Sequence, residues 1–382
     1  MKVLFIITNL LTGGAEMMLL KLLSRIDRSH FQCRVISLVS LGTIGPRIEA
    51  TGIPVLEIGM QPGWVDMTRW LHLVKEIHAF KPAIVQTWMY HANLLGGAAA
   101  KLAGTPHVVW NLRHCNLDPS LNKLHTRLTA RFCAGLSHWI PTRILSNSGV
   151  SAEVHQLLGY DGRRMLIIPN GFEIDRFKPD IASRVAFRNE LGLTPHTPLI
   201  GLMGRYDAQK NHAGFLRAAA IIARERSDVR FVLCGRGVDV HNRQLASIIG
   251  DNGLERRLHL LGERSDMQFV TAALDIACSS SLGEAFPNTV GEAMACGVPC
   301  VVTDVGDSAV IVGNTGSVVP PRDDRAFARA VLGLLDMPEK ERRDLGARAR
   351  QRIVDNYSLD HVVREYEMLY ESLVQGKLRC AV

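Results

Sequence analysis

Leu274-Asp275-Ile276-Ala277-Cys278, then Glu284-Ala285-Phe286-Pro287-Asn288-Thr289-Val290-Gly291-Glu292-Ala293-Met294-Ala295-Cys296-Gly297-Val298-Pro299, then Cys300-Val301-Val302-Thr303, reads as strand, loop, helix, turn and strand. The first run is short and apolar, bounded by turn residues, as a buried strand is. The stretch 289–296 is rich in helix formers, and Gly297 and Pro299 end it. The last run is β-branched. One carboxylate, Glu284, stands before the helix N-terminus, and another, Glu292, lies one or two turns inside it. The open N–H groups at that end can hold an anion.

The same alternation extends outward over the chain. Strands are expected at 3–8, 32–38, 55–58, 84–86, 108–111 and 139–145, with helices near 15–24, 44–51, 67–80, 93–103, 120–134 and 148–158. A second series begins at 199–203 and continues through 230–234, 258–261, 276–278 and 300–303. Its helices are expected near 213–225, 241–252, 267–273 and from Asn288. Repeated strand–helix alternation implies parallel sheets covered by helices on both faces. Two series imply an α/β chain of two doubly wound domains facing a cleft, with ligands at the carboxyl ends of the strands. Pro169-Asn170-Gly171 interrupts both patterns. The expected domains are therefore 1–168 and 169–358, followed by a last helix near 359–374.

At 382 residues, 47% apolar and 21% charged, the chain is a folded globular protein with room for two cores. Its eight cysteines lack metal-type spacing and read as reduced thiols, which places the chain in the cytoplasm. Met1-Lys2 leads straight into an apolar run too short for a secretory leader. Residues 82–100 carry no Asp, Glu, Lys or Arg, but Pro82, Gln86, His91 and Asn93 argue for strand, loop and buried helix over a membrane span. The net charge of +7 lies wholly in residues 1–180, with 19 Lys/Arg against 12 Asp/Glu. A basic half points to an acidic partner such as an anionic membrane surface. Nucleic acid is not expected, since the basic residues carry no recognition motif.

Several residues fit chemistry on a diphosphate. Arg205 and Lys210 follow the first strand of the second series, a planar fork and a compact charge suited to a leaving diphosphate. Gly13 and Gly14 follow the first strand and would let backbone amides approach a phosphate, yet they lack the third glycine of a dinucleotide site. Arg264, in Gly262-Glu263-Arg264, follows a strand of the second series, in a loop that resembles those that wrap a nucleobase and otherwise reads as an ordinary turn. His114, with Arg113 beside it, follows a strand of the first series, and Asp118 is a weaker candidate in the same loop. No Asp-x-Asp occurs, so no metal is expected on the diphosphate. Leu121, Leu124, Leu128 and Phe132 recur at helical spacing beside Lys123, Arg127 and Arg131. Such a stripe is more often core, although a basic helix there also suits an anionic bilayer.

The two glutamates with seven residues between them resemble the signature of the retaining glycosyltransferases of family 4, which have the GT-B fold. Thr12-Gly13-Gly14-Ala15-Glu16, Ile168-Pro169-Asn170-Gly171, Gly204-Arg205 with Lys210-Asn211, Leu261 to Asp266 and the last helix follow in the family's order. The resemblance covers nearly the whole chain. It implies an N-terminal acceptor domain and a C-terminal nucleotide-sugar domain, with 359–382 crossing back onto the first. It implies Glu284 on the donor sugar, Glu292 on the ribose, and the amides of Phe286, Asn288 and Thr289 around phosphates or sugar. It also places Gly13-Gly14 by the pyrophosphate and His114 near sugar and acceptor. The activity implied is retaining, metal-independent and cofactor-free. A sugar passes from a nucleotide diphosphate sugar to a hydroxyl of a saccharide or lipid-linked saccharide in surface polysaccharide synthesis, at the inner face of the cytoplasmic membrane. The alternatives are a GT-B nucleotide-sugar epimerase and a non-catalytic nucleotide-sugar or glycan-binding subunit. One departure is Ser308-Ala309-Val310, where relatives often carry an acidic residue.

Overall fold

Successive side chains of β1 (Lys2–Ile7) leave the strand in opposite directions, and both directions are buried. Val3, Phe5 and Ile7 join one core, while Leu4 and Ile6 join another. A strand covered on both faces has no polar side to show, hence its continuous apolar sequence. The computed structural model describes residues 1–61, 66–115 and 124–376. It divides into two units, Met1–Gly171 with the chain from Leu359 onward, and Phe172–Ser358.

In the first unit β1 is followed by α1 (Gly14–Arg25), β2 (Gln32–Ser37), α2 (Gly45–Glu49), β3 (Val55–Glu57), α3 (Met67–Phe80) and β4 (Ile84–Trp88). Next come α4 (Tyr90–Leu102), β5 (His107–Leu112), α5 (Leu124–Leu136), β6 (Arg143–Ser146), α6 (Gly149–Leu157) and β7 (Met165–Ile167). The seven strands pair in the order β3-β2-β1-β4-β5-β6-β7, all parallel.

The second unit holds α7 (Ile181–Glu190), β8 (Leu199–Met203), α8 (His212–Glu225), β9 (Arg230–Cys234), α9 (Arg243–Asp251) and β10 (Leu258–Leu260). It continues with α10 (Met267–Ala272), β11 (Ile276–Ser279), α11 (Asn288–Ala295), β12 (Cys300–Thr303), α12 (Ser308–Val312), β13 (Ser317–Val319), α13 (Asp324–Asp336) and α14 (Glu339–Tyr357). Its parallel sheet runs β10-β9-β8-β11-β12-β13. The sheet's faces again split between two cores, Leu199 and Val302 in one, Ile200 and Val301 in the other.

The last helix, α15 (Leu359–Val374), returns to the first unit. Leu359, Val362, Val363, Tyr366, Leu369, Tyr370 and Leu373 form one buried stripe at helical spacing. They share a core with Phe5 and Leu22.

One expectation is overturned. Leu124, Leu128 and Phe132 of α5 point outward, and only the small Ala130, Cys133 and Ala134 are buried. The stripe is not core, because α5 presses its narrow face on the unit and leaves the bulky one outside. Asp118, Leu121 and Lys123 lie outside the described residues. The strand expected at 139–145 starts only at Arg143, and Trp139 is exposed.

Candidate functional site

In each sheet the strand order reverses once, and a parallel sheet opens a crevice at the carboxyl ends of the strands on either side of that reversal. In the second unit these strands are β8 and β11. The loop after β8 carries Arg205 and Lys210, and the loop after β11 carries Glu284. Lys210 Nζ donates to Glu284 Oε1 at 2.5 Å. Ser281 Oγ donates to the same oxygen at 2.7 Å.

The two loops are joined along their backbones. Leu282 N donates to Gln209 O at 2.7 Å. Ser280 Oγ reaches the carbonyls of Lys210 and Asn211, and Asn211 Nδ2 reaches Ser280 O. Thr303, at the end of β12, donates to Ser281 O at 2.6 Å. The ammonium and carboxylate are thus held by wiring that spans three neighbouring strands.

Two glycines let neighbouring loops close in. Gly235 lies at φ +152°, where a Cβ would stand 2.2 Å from Gly204 O. Gly306 lies at φ +54°, where a Cβ would stand 2.1 Å from Glu284 O. Any side chain at either would push apart the loops that position Arg205 and Glu284. Asp307 N donates to Ala285 O at 3.1 Å, tying the loop after β12 to the same turn.

The helix α11 starts at Asn288, four residues after Glu284, and its cap residue Pro287 offers no side-chain hydrogen bond. Glu292 is half-buried on its second turn. The Phe286 side chain is buried against Phe172 and Tyr357, with ring centroids 6.0 Å away in both cases. Phe286 therefore faces the core through its ring, and only its backbone belongs to the turn. Asn288 and Thr289 are half-buried at the helix start. Arg205 is more than half exposed and its Nε reaches Asp207 Oδ2 at 3.2 Å. Arg264 lies at the end of β10, paired with Asp266 and Glu190 at 2.7 Å each. Those hydrogen bonds raise its pKa further, so it is a permanent cation with carboxylates already engaged.

The first unit has its own crevice, between β1 and β4. A cavity of about 440 Å³ opens there, lined among others by Gly14, Glu16, Tyr90, His91, His114 and Thr126. Gly13 caps α1 in extended conformation, and a Cβ on it would stand 2.4 Å from Glu16 Oε2. Burial raises the pKa of the Glu16 carboxyl. Burial, and then the nearby His125, lower that of His91. His114 is half-buried, and its carbonyl accepts from Ser151 Oγ at 2.9 Å. Met89, before α4, has φ +73° and ψ 160°, a strained conformation for a residue with a side chain, of the kind that gathers at ligand sites.

Arg113 is half-buried and lines the same cavity, with its guanidinium engaged inside the unit. Its guanidinium lies 4.2 Å from the centroid of the Trp88 ring, donates to Tyr366 Oη at 2.7 Å and bonds Asn170 Oδ1. It fastens α15 and the end of β7's following segment to β5. Sequence reasoning gave no part to Asp207, Ser280, Ser281, Thr303, Glu16 or His91. Only Asp207 carried a signal, an acidic residue two positions before Gln209 whose side chain accepts from that N–H.

Among the described residues no group of three or more His, Cys, Asp or Glu side chains is placed to hold a metal ion. Burial pushes the thiols of Cys133 and Cys296 up to about 12, which keeps them from serving as thiolates.

The chain matches the family described as Glycosyltransferase Family 4 over residues 12–176, and the one described as Glycosyl transferases group 1 over residues 197–337. It is similar to the UDP-Gal:alpha-D-GlcNAc-diphosphoundecaprenol alpha-1,3-galactosyltransferase of Escherichia coli, 28% identical over 82% of this chain and 81% of that one. It is also similar to the lipopolysaccharide core biosynthesis mannosyltransferase LpsB of Rhizobium meliloti, 29% identical over 55% of this chain and 61% of that one. Among solved structures, Anabaena Alr3699/HepE in complex with UDP superposes with a TM-score of 0.86 at 22% identity, covering 97% of this chain and 100% of that one. Two parallel sheets with their crevices at the strand-order reversals, and family matches over both units, give one conclusion: the chain belongs to the glycosyltransferases of family 4 and has their GT-B fold.

Proposed function

We propose that this chain transfers a hexose from a UDP-sugar to a hydroxyl of a lipid-linked saccharide, with retention at the anomeric carbon and without a metal ion. The observation that carries the reading is the Lys210–Glu284 pair, held across the β8/β11 crevice just ahead of the N-terminus of α11. A diphosphate there meets an ammonium, a guanidinium at Arg205 and backbone N–H groups. As the sugar–oxygen bond breaks, negative charge grows on the leaving diphosphate, and fixed cations stabilise that state more than the ground state. These groups supply the positive charge that a metal ion supplies elsewhere. Glu284 and Glu292 then accept from hydroxyls of the donor, Glu284 on the sugar and Glu292 on the ribose, with Arg264 toward the base.

In the first unit, Gly13 and Gly14 serve the pyrophosphate, and His114 and its cavity serve sugar and acceptor. Retention means that the acceptor oxygen bonds the anomeric carbon on the face the diphosphate leaves. The acceptor's proton passes to the departing phosphate oxygen. The UDP and lipid-linked assignments draw on the Escherichia coli relative, whose name carries UDP-Gal and a diphosphoundecaprenol acceptor. No described helix is long and apolar enough to cross a membrane. The reading places the chain at the inner face of the cytoplasmic membrane, where nucleotide sugar and lipid-linked acceptor meet.

The test is thermal stabilisation by UDP, GDP, ADP and TDP with and without magnesium, followed by transfer from labelled UDP-hexoses to a diphosphate-linked lipid saccharide. UDP alone should stabilise, unchanged by magnesium and lost in Arg205→Ala. Epimer formation without acceptor would move the assignment to an epimerase. Nucleotide binding with no turnover of any donor would move it to a binding subunit.

A further inference from the structure

We infer that the outward face of α5, together with Trp139 just beyond it, docks this chain onto an anionic lipid bilayer. On a helix that packs on a monomer the large apolar side chains face inward. Here the order is reversed. Ala130, Cys133 and Ala134 face the unit, while Leu124 and Phe132 are each 66% exposed and Trp139 is 79% exposed. Leu128 and Leu136 complete the outer stripe. Positions 124, 128, 132 and 136 are four apart, so they drift slowly round one side of the helix. Isolated exposed apolar residues need no explanation, but five adjoining ones, two of them aromatic, mark an interaction surface.

Charge selects the occupant. Arg131 is exposed beside the stripe, Arg127 is half-buried, and His125 and His138 are exposed nearby. Residues 101–152 contain six Lys/Arg and a single acid, Asp118. A two-fold pairing with a second copy would set this basic face against itself. A bilayer with anionic headgroups takes up the leucines and phenylalanine and neutralises the arginines at once, and a tryptophan at the edge suits the headgroup level.

The same helix contributes Thr126 to the cavity that His91 and His114 line, and the His125 ring lies 5.9 Å from that of His91. Docking through α5 therefore brings that cavity close to the headgroups. This consequence rests on the lipid-linked acceptor reading, whereas the docking does not.

The test uses the full chain and sedimented vesicles, either phosphatidylcholine alone or phosphatidylcholine mixed with phosphatidylglycerol. The chain should partition onto the mixed vesicles, weakly onto the neutral ones, and less as salt rises. Leu128→Ser with Phe132→Ser should lower the partition by about tenfold or more, while stabilisation by UDP stays unchanged. Tryptophan emission should shift to the blue on mixed vesicles, and Trp139→Phe should abolish the shift. Equal partition of the double variant, or no partition onto the mixed vesicles at low salt, would overturn the inference. So would a dimer in solution that the double variant converts to monomer without any vesicle binding, which assigns the face to a second copy. Loss of transferase activity in every assay would leave the vesicle result standing, and the reverse holds too.

Discussion

Lys210 and Glu284 stand 74 positions apart in sequence and 2.5 Å apart in space, each mostly buried. A pair so placed acts as a unit, so its members should not contribute additively. Lys210→Ala and Glu284→Ala should each lower kcat/KM by about 10²–10³, the effect of removing one preorganised group facing developing charge. The double variant should be little worse than the poorer single one. A full product of the two losses in steady-state kinetics would show independent roles. Arg205→Ala should raise the barrier by about 2–4 kcal/mol. His155 provides a separate residue-scale prediction. Its Nδ1 lies 2.6 Å from the Ser151 carbonyl, which can only accept, so Nδ1 carries the proton and Nε2 accepts from Tyr90 Oη at 2.7 Å. Burial pushes its pKa down to about 4. Between that value and the ordinary one near 6.5, the unfolded chain binds a proton the folded chain refuses. Stability is then complete above about pH 6.5 and falls toward pH 4, by on the order of 3 kcal/mol for this one group. Urea unfolding of His155→Asn across that range should show a shallower fall than the parent, whatever its stability at pH 7. The residues in motifs could be read from sequence because glycines and charges mark strand ends. Ser280, Ser281 and Thr303 could not be singled out, since the register of neighbouring parallel strands decides which loop atoms meet.

Among the elements, α11 depends on one small residue. A Cβ on Gly291 would stand 2.0 Å from Cζ of Phe172, a side chain that is itself fully buried. Glycine inside a helix is normally a weakness, and here the close packing of helix on ring outweighs it. Gly291→Ala should therefore destabilise by about 1–3 kcal/mol through overpacking, against the usual gain for such a change in a helix. Because α11 begins four residues after Glu284, the same variant should bind UDP more weakly. A higher melting temperature with unchanged UDP affinity would show that α11 has slack. The helix was legible in sequence since glycine and proline end it cleanly. Others were not. β7 and β13 are three-residue edge strands that were not singled out, although β3 and β10, equally short and also at edges, fell in the strand–helix rhythm and were. The helices α7, α13 and α14 follow the interruption at Pro169–Gly171 or the last core strand, where the strand–helix rhythm no longer guides the reading. The stripe on α5 was visible, but its direction was not. Periodicity shows that a helix has an apolar side and says nothing of which side meets the protein.

At the scale of the whole molecule, two doubly wound sheets were legible because parallel strands buried on both faces read as apolar runs, and two runs of them need two cores. What periodicity alone could not show is where α15 belongs. Its buried stripe fits any apolar face, and only the resemblance placed it on the first domain. In the structure Tyr370 donates to Gln86, Tyr366 accepts from Arg113, and the helix shares a core with Phe5 and Phe31. Each unit thus has its own cores, and one of them is completed by the last helix of the chain. Calorimetry should then resolve two transitions. UDP should raise the one belonging to Phe172–Ser358, and Gly291→Ala should lower that same one. Tyr370→Ala should lower the other by about 3–5 kcal/mol, the range for removing a buried aromatic side chain. The strength of this comparison lies in sequence order, since residue 370 lies beyond every residue of the UDP-responsive unit while acting on a unit that begins at Met1. If Tyr370→Ala instead lowered the UDP-responsive transition and spared the other, α15 would be stabilising the wrong unit and the division of the chain would have to be redrawn.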